Sequence, residues 1–273
     1  MVFYAIINNE KKNYMKRNIS IACSFIVLLT MLYSCTKETK LDATFVSPTG
    51  KAFIKVIDYA PSFRLVTANR DSFNVFVNNI KINGAFITYN AGYPNNVNDT
   101  YAAVPAGTQT IRLTVNGVTT PDSITIATFT KTVNVGDYYT LILTDSLLSS
   151  QESSQIWVKD NATLTDTGHF TLRFIHAVLN DTTGKAVDIF SQRYLTNIFS
   201  NILPSTATPF NQLAYTTLSD TLIVRRAGTM NELARLTGAS FTRQRAYTLV
   251  YKGNGNLPAS NAKGRNLTTY VNQ

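Results

Sequence analysis

Ile54-Lys55-Val56-Ile57-Asp58 and, in the second half of the chain, Leu172-Arg173-Phe174-Ile175-His176 follow one pattern. Each places a cation second, apolar residues third and fourth, and a polar residue last. Alternation at period two marks a β-strand with two distinct faces. Ile54, Val56 and Asp58 share one face, and Phe53, Lys55 and Ile57 share the other. Three more anchors repeat in the same order. Phe73-Asn74-Val75-Phe76 matches Val187-Asp188-Ile189-Phe190, and Tyr101-Ala-Ala-Val104 matches Tyr215-Thr-Thr-Leu218. Tyr139-Thr140-Leu141-Ile142 matches Tyr247-Thr248-Leu249-Val250. Four anchors in one order predict an internal duplication.

Turn signals punctuate both halves. Asn78–Asn79 ends a strand, and Asn83–Gly84 carries a two-residue hairpin signal, because both residues tolerate positive φ. Pro105-Ala-Gly107, Asn116–Gly117 and Gly136–Asp137 follow. Short strands with turns every ~8–12 residues predict an all-β fold built of sandwiches. Ile156-Trp157-Val158 is expected to close the first repeat, residues 51–160, and Leu267–Val271 the second, residues 167–273. Each repeat is expected to hold its own core and to fold alone from about Thr165 onward.

The composition suits strands. Charged residues make up 15% of the 273, below the usual ~25%, while Asn, Thr and Ser fill the difference. A hydrophobic share of 44% excludes a disordered chain. A mean hydropathy of −0.02 excludes a polytopic membrane protein. Two His and two Cys leave little material for a zinc or redox centre.

The N-terminus reads as an address. Lys16 and Arg17 precede the apolar run Ile19–Ser34, which ends Leu32-Tyr33-Ser34-Cys35. A basic start, an apolar stretch and a small residue at the cut make a secretory signal, residues 1–34. The ending resembles a bacterial lipobox, so Cys35 is expected to receive diacylglycerol and become the first residue of the mature chain. A membrane span would need ~17–25 apolar residues, and this run carries Ser20, Ser24 and Thr30. Met15 is the expected start, with residues 1–14 an upstream extension. Residues 35–50 form a short polar tether. Cys23 leaves with the signal and Cys35 carries lipid, so no disulfide is expected to hold the fold.

Cleavage leaves 21 basic and 15 acidic residues, unevenly placed. Residues 36–166 hold 10 basic and 11 acidic, and residues 167–273 hold 11 and 4. A basic half suggests an anionic partner. Export makes nucleic acid the wrong one, and an acidic envelope polymer or glycan the better one. Arg243 and Arg245 are candidate contacts, placed on one strand face by alternation.

Arg173-Phe-Ile-His-Ala177 followed by Ala186-Val-Asp-Ile-Phe190, and Val104-Pro-Ala-Gly107 before a Thr-rich strand, resemble domain-of-unknown-function family 4397. The resemblance covers about 51–273. It implies tandem immunoglobulin-like β-sandwiches on bacterial lipoproteins or surface proteins, with no reaction to transfer. Asp58 and Asn74 stand where the second repeat has His176 and Asp188, and the second repeat lacks the Pro-Ala-Gly turn.

Candidate chemistry is sparse. His176 and Asp188 resemble catalytic parts, but His176 continues the inward face of Leu172 and Phe174, which suits a structural hydrogen bond. Asp99 is the one carboxylate in Asn95-Asn96-Val97-Asn98-Asp99, too few for calcium. Neither catalysis, metal nor cofactor is expected. Tyr89, Tyr93, Asn95 and Asn96 form the most ligand-like loop, since rings stack on sugars and amides bond hydroxyls. Ser123, Ser146, Thr182 and Thr221 follow Asp and precede an apolar residue or Thr, resembling an O-glycosylation pattern of the Bacteroidota. The expected protein is a non-enzymatic envelope lipoprotein, anchored in the outer membrane. Its role would be adhesion, scaffolding or surface binding, or glycan capture for a polysaccharide-uptake system.

Overall fold

The computed structural model describes residues 49–63, 71–115, 124–144, 155–163, 166–178, 180, 185–258 and 260–272. Among them are seventeen strands and no helix. The first repeat contains β1 (Lys51–Asp58), β2 (Phe73–Val77), β3 (Ile80–Lys81), β4 (Gly92–Tyr93), β5 (Ala102–Pro105), β6 (Gly107–Val115), β7 (Thr125–Val133), β8 (Tyr138–Leu143) and β9 (Ile156–Lys159). The second contains β10 (His169–His176), β11 (Val187–Ser191), β12 (Thr196–Ile202), β13 (Asn211–Ala214), β14 (Asp220–Arg226), β15 (Glu232–Ala239), β16 (Ala246–Lys252) and β17 (Asn266–Val271). The all-β sandwich class expected from the alternation is what forms.

Four sheets stack in sequence. An outer sheet, β3-β2-β6-β7, packs on an inner sheet, β4-β1-β8-β9, with β5 also paired to β1. The second repeat has an inner sheet, β13-β10-β16-β17, and an outer sheet, β12-β11-β14-β15. Ala52, Ile54, Val56, Phe73, Val75, Ile111 and Leu141 fill the first sandwich. Leu172, Phe174, Ile189, Val224 and Leu249 fill the second. A third core joins the backs of the two inner sheets: Ile57, Tyr59, Ile142, Ile156 and Val158 meet Ile175, Ala177, Val250 and Tyr270.

That third core explains the apolar runs. β1 pairs parallel with β8, and β10 parallel with β16. All four strands are covered on both faces, so β10 and β16 are buried almost without interruption. A strand buried on both sides reads as a near-continuous apolar run, and the few polar side chains it carries must find partners in the interior. β7 and β15, in the outer sheets, keep exposed positions along their length.

The pairing registers place the repeats in correspondence. Ile54 lies opposite Tyr139, and Leu172 opposite Tyr247. One anchor shifts. Ile54 pairs with Ala102 and Leu172 with Asn211, so the counterpart of Tyr101 is Phe210 rather than Tyr215. A short Tyr-led motif matched the wrong loop position, because the repeats differ in length on both sides of this strand.

The hairpin signal also moves. Asn78 and Asn79 adopt φ of 48° and 66° and form the tight turn between β2 and β3. Asn83 is buried, with its Oδ1 accepting the Val75 N–H at 2.7 Å and its amide donating to Ala85 O. Its side chain takes a strand partner's place, so Asn83–Gly84 is no hairpin.

A fragment from Asp166 to the C-terminus would keep the second sandwich but bare Ile175, Val250 and Tyr270. It should retain a β-sheet circular-dichroism spectrum while binding anilinonaphthalene sulfonate and self-associating, unlike the two-repeat protein. A monomeric, dye-silent fragment would show that the third core contributes little.

Candidate functional site at the repeat junction

The strand pattern that buries Ile57 and Ile175 also brings Lys55 and Arg173 to the buried junction, each one pleat away on the same face. Arg173 is 3% exposed and Asp160 is fully buried. The Arg173 guanidinium bonds the Asp160 carboxylate, which also accepts from the Thr140 hydroxyl. Arg173 Nε donates to Thr248 Oγ1 at 2.8 Å, Nη1 to Lys159 O at 2.9 Å and Nη2 to Tyr270 Oη at 3.2 Å. Tyr101 Oη donates to Asp160 Oδ2 at 2.9 Å. Burial opposes the guanidinium's charge, but the adjacent carboxylate overcomes it and holds the Arg173 pKa above its ordinary value.

Lys55 occupies the equivalent place in the first repeat. Its Nζ donates to Asn98 O at 2.7 Å and lies 4.3 Å from the Tyr101 ring centre. Arg173 lies 4.7 Å from the ring of Phe210, the counterpart of Tyr101. Each repeat therefore sets a cation on an aromatic face. Desolvation pulls the Lys55 pKa down to about 8 despite the nearby carboxylates of Asp160 and Asp99. Burial does the same to Lys252, also to about 8, while its Nζ donates to Asn90 Oδ1 at 2.7 Å.

The loop read as sugar-binding is a strap. Asn95 Oδ1 accepts the N–H groups of Val97 and Asn98, and the Asn96 amide donates to Asn90 O. Tyr93 packs against the first core. Tyr89 is drawn in beside Lys252 and Lys263, at 5.4 and 5.8 Å from its ring centre, and burial raises its pKa to about 12. Val97 O then accepts the Val271 N–H at 2.9 Å, fastening the loop to β17. These side chains hold the shape of the loop and pack it down, and all four remain partly exposed.

Arg243 and Arg245 flank Gln244, whose φ of 57° forms a turn before β16. The shared strand face expected of them does not form, because a left-handed residue breaks the alternation. Both are exposed, and Arg245 Nη1 lies 3.8 Å from Asp99 Oδ2. His176 and Asp188 do not meet. His176 Nε2 lies 3.1 Å from Lys185 O. Asp188 accepts from Asn201 N–H, Gly228 N–H and the Asn197 amide. Thr221 is half-buried in β14, whereas Cys35, Ser123, Ser146 and Thr182 lie outside the described residues.

An open groove of about 460 Å³ flanks the junction, where sequence pattern gave no signal. One wall is Gln155 and strand β9; the other is Arg173, Ser205, Ala207 and Thr208. Trp157, the one tryptophan of the chain, belongs to the β9 wall, stacked at 5.3 Å on Tyr139.

A family model, the domain of unknown function DUF4397, matches residues 52–190, the whole first repeat and the opening strands of the second. An all-β protein of repeated sandwiches is thus the class, and the chain belongs to the DUF4397 family. No curated protein sequence matches it. A solved structure of a DUF1812 protein from Bacteroides thetaiotaomicron, conjectured to bind polysaccharide, covers 81% of this chain and 96% of its own. Its identity is 9% and its TM-score 0.26, a likeness that carries no argument about this chain.

Truncating Arg173 to Met should cost ~3–5 kcal/mol, because Asp160 is left charged and buried. Adding Asp160→Asn should recover part of that loss, since Asn272 already serves at the equivalent position. Urea denaturation of the single and double variants measures both. Lys55 gives a pH signature. Between about 8 and 10.5 an unfolded Lys55 binds a proton that the folded one has released. Stability of the wild type relative to Lys55→Met should therefore rise with pH across that window.

Proposed function

We propose that the chain is a non-enzymatic lipoprotein of the cell envelope, held in the outer membrane by a lipidated Cys35 and suited to adhesion, scaffolding or surface binding rather than to any nucleic-acid role. The groove beside the junction carries the reading. Its walls come from two repeats joined by a buried core, so their spacing is set by packing rather than by a loop. Its lining combines backbone edges with small hydroxyl side chains, Ser205 and Thr208, suited to many modest polar contacts. The titratable groups of the junction point into one another and act as struts. Glycan capture belongs to the same proposal as its alternative ligand class, with the groove replacing the Tyr89–Asn96 loop as the place of contact. An anionic envelope polymer on the exposed Arg243 and Arg245 turn is a weaker second contact.

Two measurements test this. Cys35→Ala should abolish incorporation of an alkyne fatty acid in cells, and equal labelling would remove the anchor. Retention on envelope polymers and arrayed glycans should fall when Ser205→Tyr fills the groove. Retention unchanged by that substitution would take the groove out of the function.

A further inference from the structure

We infer that the groove receives an extended polypeptide strand from a partner, which adds to the outer edge of β9. This rests on the groove being the binding surface and names its occupant. The first observation is the backbone direction. Asp160 N–H donates to Tyr138 O at 2.7 Å, so Asp160 faces β8. Alternation along the strand then turns Trp157 and Lys159 the other way, toward the groove. Lys159 O confirms that direction by accepting Arg173 Nη1. Trp157 N–H, Trp157 C=O and Lys159 N–H thus face the groove in strand spacing. Among the described residues no strand pairs with that edge.

The second observation is what the fold does at the equivalent edge. β17 corresponds to β9, since Tyr247 pairs with Val271 as Tyr139 pairs with Lys159. There the strap of the first repeat covers the edge, and Val97 O takes the Val271 N–H. The strap exists because the first repeat is longer at this point. Gly92, opposite Ile57, is followed by ten steps to Ala102, whereas Ala207, opposite the equivalent Ile175, is followed by four to Asn211. The second repeat has no such strap to lay on β9, and the groove lies where it would run. The groove also continues the established interface outward, since Ile156, Val158 and Ala207 belong to the third core.

The chemistry of the occupant follows. Arg173 is neutralised by Asp160, and Lys159 Nζ is 2.8 Å from Asp137 Oδ2. The partner strand therefore needs no net charge. Small polar side chains facing Ser205 and Thr208 suit it, with affinity drawn from backbone bonds, as in strand addition to an open sheet edge.

Trp157 makes the test specific, because it is the one tryptophan of the chain and lies on this strand. The probe is a capped peptide of Tyr93–Thr100, the segment that covers the equivalent edge, with Asp99 replaced by Asn so that it is uncharged. Titrated into the lipid-free mature chain in the millimolar range, it should shift Trp157 emission saturably and protect it from acrylamide. Lys159→Pro removes one outward N–H and leaves the β8 pairing in place, and should weaken binding about tenfold, the scale of one backbone hydrogen bond. N-methylation of alternate peptide residues should abolish it in one of the two phases. No saturable change, or equal binding by both N-methylated peptides, overturns strand addition. A response to lipopolysaccharide or a soluble glycan without one to the peptide overturns it too, while leaving the groove as a binding surface. Silence toward all three sinks both readings.

Discussion

A guanidinium and a carboxylate buried between two β-sheets govern this structure. Taking Arg173 and Asp160 out of water costs several kcal/mol for each ion. Only close pairing and further hydrogen bonds offset that cost. Thr140, Tyr101, Tyr270, Thr248 and the Lys159 carbonyl supply them, drawn from both repeats. Satisfying the pair therefore demands that the two inner sheets meet in one register. The apolar third core supplies contact area, and the polar cluster selects the alignment.

Duplication explains the layout, and departures from it give the molecule its asymmetry. Lys55 and Arg173 are equivalent cations, each over an equivalent ring, Tyr101 or Phe210. Thr140 to Asp160 and Thr248 to Asn272 are equivalent bonds. Two carboxylates at these positions would repel across a buried space, so one repeat carries the acid and the other its amide. The longer loop of the first repeat covers one sheet edge, and the shorter loop of the second leaves its counterpart beside a groove. A single chain has thereby made two unlike flanks from one repeated unit.

Much of the fold was legible because strand periodicity is local. Ile54, Val56, Leu172 and Phe174 face their sandwich cores as alternation requires. Tyr139-Thr140-Leu141-Ile142 and Tyr247-Thr248-Leu249-Val250 align residue for residue. The site was less legible. Tyr89, Tyr93, Asn95 and Asn96 carry the right chemistry for sugar, but residue type does not say whether an amide faces solvent or its own loop. Arg243 and Arg245 failed as a strand face because Gln244 takes a left-handed conformation that a non-glycine residue does not advertise.

The sequence by itself determined the strand class, the duplication and which face of each strand is apolar, since these depend on neighbours along the chain. It also showed Lys55 and Arg173 at matching places. Only the tertiary structure decided that those cations are buried, that Asp160 pairs with Arg173, and that β9 lines a groove. Those facts depend on contacts between residues far apart in the chain, where desolvation and pairing are set by the second sheet and leave no periodic trace in either strand.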